Sequence, residues 1–180
     1  MTKNKVTRII SQIAVTSAIT GVGFLLTAPI PLIPGAIHWR VLAFLPCVFG
    51  ILLGPYTGFF AGAIGNTLWA IMGGYFNLAT PIFDLLGVGL TGLIPGKFVH
   101  PEELKHGKGL LKATLVSLVA GVIMVPIVAI GFELVGAAPF MSAVYFLALS
   151  DLPPIVIGTP LVSAFLLPIL ESKGFTRLRW

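Results

Sequence analysis

Charge is what this sequence has least of: of 180 residues, 11 are Lys or Arg and 6 are Asp or Glu, 9% in all, against about 25% in soluble domains. With so few charges a folded chain of this size cannot cover a water-facing surface, which excludes a soluble globule. Cysteine is nearly missing as well. Cys47 stands alone inside an apolar run, where it reads as a small packing residue. No disulfide framework can form within the chain, and no metal site or cofactor is expected. No serine lies in a Gly-x-Ser-x-Gly context, so nucleophilic hydrolysis has no support and an enzyme is not expected. The formal net charge of +5 does not imply nucleic acid, because the basic residues form three short clusters with no aromatic interleaving.

What the chain has is apolar length. Hydrophobic residues make up 57% of it, and from Val41 to Phe83 there is no Lys, Arg, Asp or Glu. A helical crossing takes roughly 20 residues, so that run alone holds two spans back to back. The first run, Ile9 to Ala28, follows Lys3, Lys5 and Arg8 and ends near a small-residue site at Leu26-Thr27-Ala28. It exceeds the roughly 7–15 apolar residues of a secretory signal and reads as a first span.

The expected fold is an all-α membrane protein, a single domain over 1–180 forming a six-transmembrane-helix bundle with spans at about 9–28, 39–54, 55–72, 80–97, 111–133 and 152–170. The stretch 134–150, with Gly136 and Pro139, is expected to be a loop carrying a short interfacial helix. Ten of the eleven basic residues fall in the N-terminal tail, in the 97–112 loop (Lys97, Lys105, Lys108, Lys112) or in the C-terminal tail (Lys173, Arg177, Arg179). Six spans put all three clusters on one face, which the positive-inside rule makes the cytoplasm, with both termini there; five or seven would export the last cluster. Trp180 suits the interface. Thr80-Pro81 and Ser150-Asp151 before Pro153-Pro154 look like helix starts. Gly50, Gly54, Gly58 and Gly62 recur at every fourth position, the small-residue spacing that lets helices approach closely in lipid.

The remaining charges are the informative ones. Arg40, with His38 beside it, Asp84, Glu133 and Asp151 come out at similar depth toward the outer face. An ionisable residue costs about 2.5–3.5 kcal/mol at mid-helix, so each is expected to face a cavity or a partner. Asn66 and Trp69, three residues apart, share a helical face and could bind the edge and face of a flat polar ring. Blander roles compete: Asp151 as an N-cap, Glu133 and His38 as interfacial side chains, Trp69 as part of the aromatic belt, Arg40 with Asp84 as a structural ion pair.

Several motifs fail on context. Gly87-Val88-Gly89-Leu90-Thr91-Gly92 spells a dinucleotide fingerprint inside a membrane helix with no preceding strand, so helix packing is the better reading. The run Gly92 to Lys97 is one residue short of a phosphate loop and is followed by Phe98 rather than Ser or Thr. Glu102, Glu103 and His106 lie in the charged loop, where solvation explains them.

The arrangement resembles the substrate-binding S components of energy-coupling factor (ECF) vitamin transporters over nearly the whole chain. The residues that carry it are Ala14-Val15-Thr16-Ser17-Ala18, the connection Pro29-Ile30-Pro31-Leu32-Ile33-Pro34-Gly35, Leu52-Leu53-Gly54-Pro55-Tyr56, Gly62-Ala63-Ile64-Gly65-Asn66, Tyr75-Phe76 and Leu90-Thr91-Gly92-Leu93-Ile94-Pro95-Gly96. They are similar to the riboflavin, folate and thiamine-precursor branches. The resemblance implies a subunit of a prokaryotic cell membrane that captures a small-molecule substrate from outside. It then docks on a transmembrane scaffold subunit driven by two ATPase subunits. Ala14 and Ala18 match the motif that meets the scaffold, and Pro29 to Ile37 would gate the site. Three acids against one arginine favour a cationic or zwitterionic ligand such as thiamine or its pyrimidine precursor; riboflavin or folate is the alternative. A small intramembrane enzyme and a solitary channel are the rivals from other classes.

Overall fold

The computed structural model of the chain describes residues 3–27, 30–33, 37–77 and 80–174, and, within these, not the side chains of residues 3–5, Thr80 and Asp84. Pro29, Pro34, Gly35, Arg177, Arg179 and Trp180 therefore lie outside the described residues, as does any cap made by the Thr80 side chain.

Long apolar runs with good helix formers become helices because lipid offers backbone groups no partner of its own. In chain order these are α1 (Lys3–Thr27), α2 (Leu45–Leu53), α3 (Pro55–Gly73), α4 (Thr80–Phe83), α5 (Gly89–Phe98), α6 (Gly107–Leu134) and α7 (Phe140–Ser172). A π-helical turn, Asp84–Val88, joins α4 to α5, and a 3-10 turn, Pro101–Lys105, precedes α6. Three of these helices, Val6–Thr27 within α1, α6 and α7, are long and apolar enough to cross a membrane. The departure from an all-α fold is a small antiparallel hairpin of β1 (Pro31–Ile33) and β2 (Ile37–His38), in the connection expected to gate the site.

Two expectations are corrected. The stretch 134–150 is not a loop. The α6–α7 turn is short, with Gly136 at φ 69°, and α7 starts at Phe140 behind Pro139, in the extended conformation that precedes a helix. Ser150-Asp151 is accordingly not a helix start, and Pro153 and Pro154 lie inside α7 with Pro160 and Pro168. A proline marks a start only where the lost N–H has no carbonyl to serve; within a packed membrane bundle neighbouring groups re-satisfy the freed carbonyl and the helix continues. The second correction concerns 39–54: helix is confined to the nine residues of α2, and Trp39 and Arg40 enter it through irregular backbone.

Glycines set the packing at the centre. A Cβ on Gly50 would overlap the Gly92 carbonyl, one on Gly92 the Gly58 carbonyl, and one on Gly62 would sit 2.5 Å from the Val88 carbonyl oxygen. Backbone thus meets backbone among α2, α3 and α5: Gly50, Gly58 and Gly62 of the every-fourth-residue series and the Gly87–Gly92 run serve close approach, whereas Gly54, at φ 122°, makes the turn from α2 to α3. On the other flank α1 packs on α3: Ser17 donates to the Phe60 carbonyl at 3.1 Å, and a Cβ on Gly21 would lie 3.0 Å from the Gly65 carbonyl oxygen. Ala14 and Ala18 point the other way. They are exposed together with Val15 and Ile19.

At the end of the bundle away from the hairpin, Lys105 bridges Glu171 at 2.9 Å and Glu102 at 3.0 Å, and Lys112 meets Glu103 at 2.7 Å. These pairs tie the 3-10 turn to the end of α7 and to α6, but water and salt screen them, so they add little to stability.

Candidate functional site

The site is assembled around Arg40, which the irregular entry to α2 carries into the bundle rather than along a helix surface. Its side chain is 6% exposed and that of Asp151 1%, so both charges are out of water. The guanidinium grips the carboxylate with two nitrogens: Nε donates to Oδ1 at 3.1 Å, and a terminal nitrogen donates to Oδ2. The other terminal nitrogen donates to Oδ1 of Asn66, and Ser150 donates its hydroxyl to Asp151 Oδ1. Bidentate geometry and the added hydrogen bonds are what make a buried pair tolerable, since desolvation otherwise outweighs the Coulomb attraction.

Rings close the space around this pair. The Arg40 guanidinium carbon lies 5.4 Å from the Phe24 ring centroid and 5.7 Å from that of Trp69, within the roughly 6 Å over which a cation is drawn to an aromatic face. Trp69 and Tyr75 are 5.5 Å apart, and His38 stands 5.6 Å from Trp69 and 4.5 Å from Tyr75. A local device brings Tyr75 there. Gly74 adopts φ 77° at the end of α3, and Tyr75 donates its N–H to the Ala70 carbonyl at 2.8 Å, turning the chain back on itself. Gly73 leaves room for the ring, 2.6 Å from where its Cβ would be.

His38, on the hairpin, is buried, and its Nδ1 finds no hydrogen-bond partner among the described residues. Burial, and after it the positive charge of Arg40, hold this imidazole below its ordinary pKa, so it is neutral at pH 7. Beside the ion pair lies a narrow crevice whose walls include Ala43, Val88, Thr91, Met124 and Ile155. It leaves no room for a water molecule, so its walls must move apart before a ligand can enter. The hairpin is shut upon it: Ile37 is 2% exposed and packs in the same core as Ala43, Val88 and Met124, with Leu32 and Ile33 against it.

Of the residues singled out in the sequence, His38, Arg40, Asn66, Trp69 and Asp151 come together. Glu133 does not. It is exposed at the end of α6 and accepts the Phe140 N–H at 3.4 Å, so it serves the turn into α7. Arg40 pairs with Asp151; the alternative of a structural pair with Asp84 lies outside the described residues, which include the Asp84 backbone in the π-helical turn but not its side chain. Sequence reading missed Phe24, Thr91, Met124, Ser150 and the placement of Tyr75. Only the Gly73-Gly74-Tyr75 turn was open to recognition, as a left-handed helix end; the others are ordinary span residues until neighbours are known. No group of His, Cys, Asp and Glu suited to a metal ion occurs among the described residues.

A family model described as "ECF-type riboflavin transporter, S component" matches residues 4–169. No curated protein and no solved structure matches the chain.

Proposed function

Because the chain belongs to the family of ECF-type riboflavin transporter S components, a family of transporter subunits and not of enzymes, we propose that it captures a neutral, flat, hydrogen-bonding vitamin of the riboflavin type from outside the cell. The observation that carries the choice of ligand is the charge balance of the closed site. Arg40 is met by Asp151 with both oxygens, and Glu133 lies elsewhere. The surplus of acids that favoured thiamine or its precursor is therefore not present among the described side chains. Among the described side chains the site's one cation and one anion neutralise each other, and such a site recognises an uncharged ring by stacking and hydrogen bonds, here from Trp69, Tyr75, His38 and Asn66.

In this reading the bundle crosses a prokaryotic plasma membrane six times with both termini in the cytoplasm. α2 with its irregular entry, α3 and the 80–98 run supply the crossings besides the three long apolar helices. The hairpin is the lid over the site. The test is direct: the purified protein in detergent, titrated with riboflavin and with thiamine, is expected to prefer riboflavin by at least about 100-fold, a gap of roughly 2.7 kcal/mol. Equal affinities, or a preference for thiamine, would overturn the ligand assignment.

For transport the subunit docks on a scaffold subunit with two ATPases. The exposed stripe of Ala14 and Ala18 on α1 supports that surface, because small residues four apart let a second helix approach closely. Ala14→Leu and Ala18→Leu are expected to weaken co-purification with the scaffold–ATPase complex about tenfold while riboflavin titration stays as in wild type. A solitary channel would be indifferent to both changes.

A further inference from the structure

Below the cleft lies a second polar layer that the ion pair does not use. The Cys47 thiol of α2, the chain's one cysteine, is fully buried facing the hydroxyls of Thr91 from α5, Ser117 from α6 and Thr159 from α7. The Ser117 and Thr159 hydroxyls have no hydrogen-bond partner among the described residues. Thr57 and Ser163 likewise bury hydroxyls without a partner among the described residues. Thr16, Thr20, Thr27, Thr67 and Thr114 all donate back to the carbonyl four residues earlier, at 2.7 to 3.1 Å, the ordinary resting place of a hydroxyl in a membrane helix. Ser117 and Thr159 make no such bond. Thr91 donates to Val88 at 2.7 Å and keeps its acceptor lone pairs.

The layer continues the cleft wall helix by helix. Thr91 lines the cleft itself, Cys47 is one turn beyond Ala43, Thr159 one turn beyond Ile155, and Ser117 two turns beyond Met124. Unmet hydroxyls in an interior are costly unless something reaches them. We propose that Cys47, Thr91, Ser117 and Thr159 form the inner subsite of the binding cavity, which takes an uncharged hydrogen-bonding end of the ligand, a carbonyl, imide or hydroxyl group. The subsite opens when Met124 changes rotamer, since an unbranched thioether is the adaptable member of the wall. The layer holds no ionisable partner except the thiol, so a charged end is rejected by desolvation. This inference rests on the reading of the chain as a vitamin-capturing subunit and assigns a role within that same site.

Two measurements test it. In the first, Ser117→Ala with Thr159→Val is expected to leave the melting temperature of the ligand-free protein unchanged or raised, because unpartnered hydroxyls are removed, while riboflavin affinity falls roughly tenfold or more. Riboflavin affinity equal to wild type in that variant would overturn the subsite. The second needs no ligand: methyl methanethiosulfonate should modify Cys47 of Met124→Ala at least about ten times faster than Cys47 of the wild type, with both proteins folded by circular dichroism. Equal, slow modification in the two would overturn the inference whatever the protein binds. Failure of wild type to bind riboflavin would instead remove the ligand assignment above, leaving the thiol experiment to decide the subsite.

Discussion

Asp151→Ala is expected to cost about 3–5 kcal/mol of stability, because it leaves the Arg40 guanidinium buried without its counter-ion, the situation in which breaking a buried pair is most damaging. The 6% and 1% side-chain exposures remove the solvent screening that makes surface pairs cheap to lose. Asn66 would still accept from Arg40, which offsets a small part. The informative partner experiment is the double change Arg40→Met with Asp151→Leu. It removes both charges and fills the space with apolar volume, so thermal unfolding in detergent should return close to wild type, since such replacements are often neutral or stabilising. Ligand binding should not return, because the guanidinium and carboxylate that shape the cleft are gone. A double variant that binds riboflavin like wild type would show the pair to be structural; an Asp151→Ala protein that melts with wild type would show that Arg40 is not buried as described.

The second large effect concerns glycine. Gly92→Leu should destabilise by about 3 kcal/mol or more, the upper part of the range for overpacking, since the added side chain meets the Gly58 backbone rather than a flexible side chain that can move. Gly50→Ala should behave similarly against the Gly92 carbonyl. Gly107→Ala is the control: it sits at the start of α6 with nothing within 4 Å of its Cβ position and a φ outside the left-handed region, so its melting temperature should be unchanged or slightly raised. Melting of Gly92→Leu together with the control would mean that α3 and α5 do not meet through backbone.

Both effects show where sequence reading reached and where it stopped. The spacing of Gly50, Gly58 and Gly62 pointed to close helix packing, because small residues at a helical repeat have no other common use in lipid. It could not say that Gly92, from a run resembling a nucleotide motif, was the partner. Arg40 and Asp151 were both legible as costly charges needing company, since hydropathy alone marks an ion in an apolar run. That they choose each other, and that Glu133 caps a turn instead, depended on α7 continuing through Pro153 and Pro154. Local rules read those prolines as a boundary.

By itself, then, the sequence determined a lipid-embedded helical chain and a handful of polar residues worth explaining, because composition and periodicity are properties of the chain and its solvent; Ala14 and Ala18 became a candidate contact only through the family resemblance. Tertiary structure decided which charges neutralise one another, how the rings of Phe24, Trp69 and Tyr75 surround them, and that the hydroxyls of Ser117 and Thr159 face the Cys47 thiol across three helices. Those relations join residues more than 100 positions apart, 111 for Arg40 and Asp151, and pairings at that separation are set by how helices pack, which no local pattern encodes.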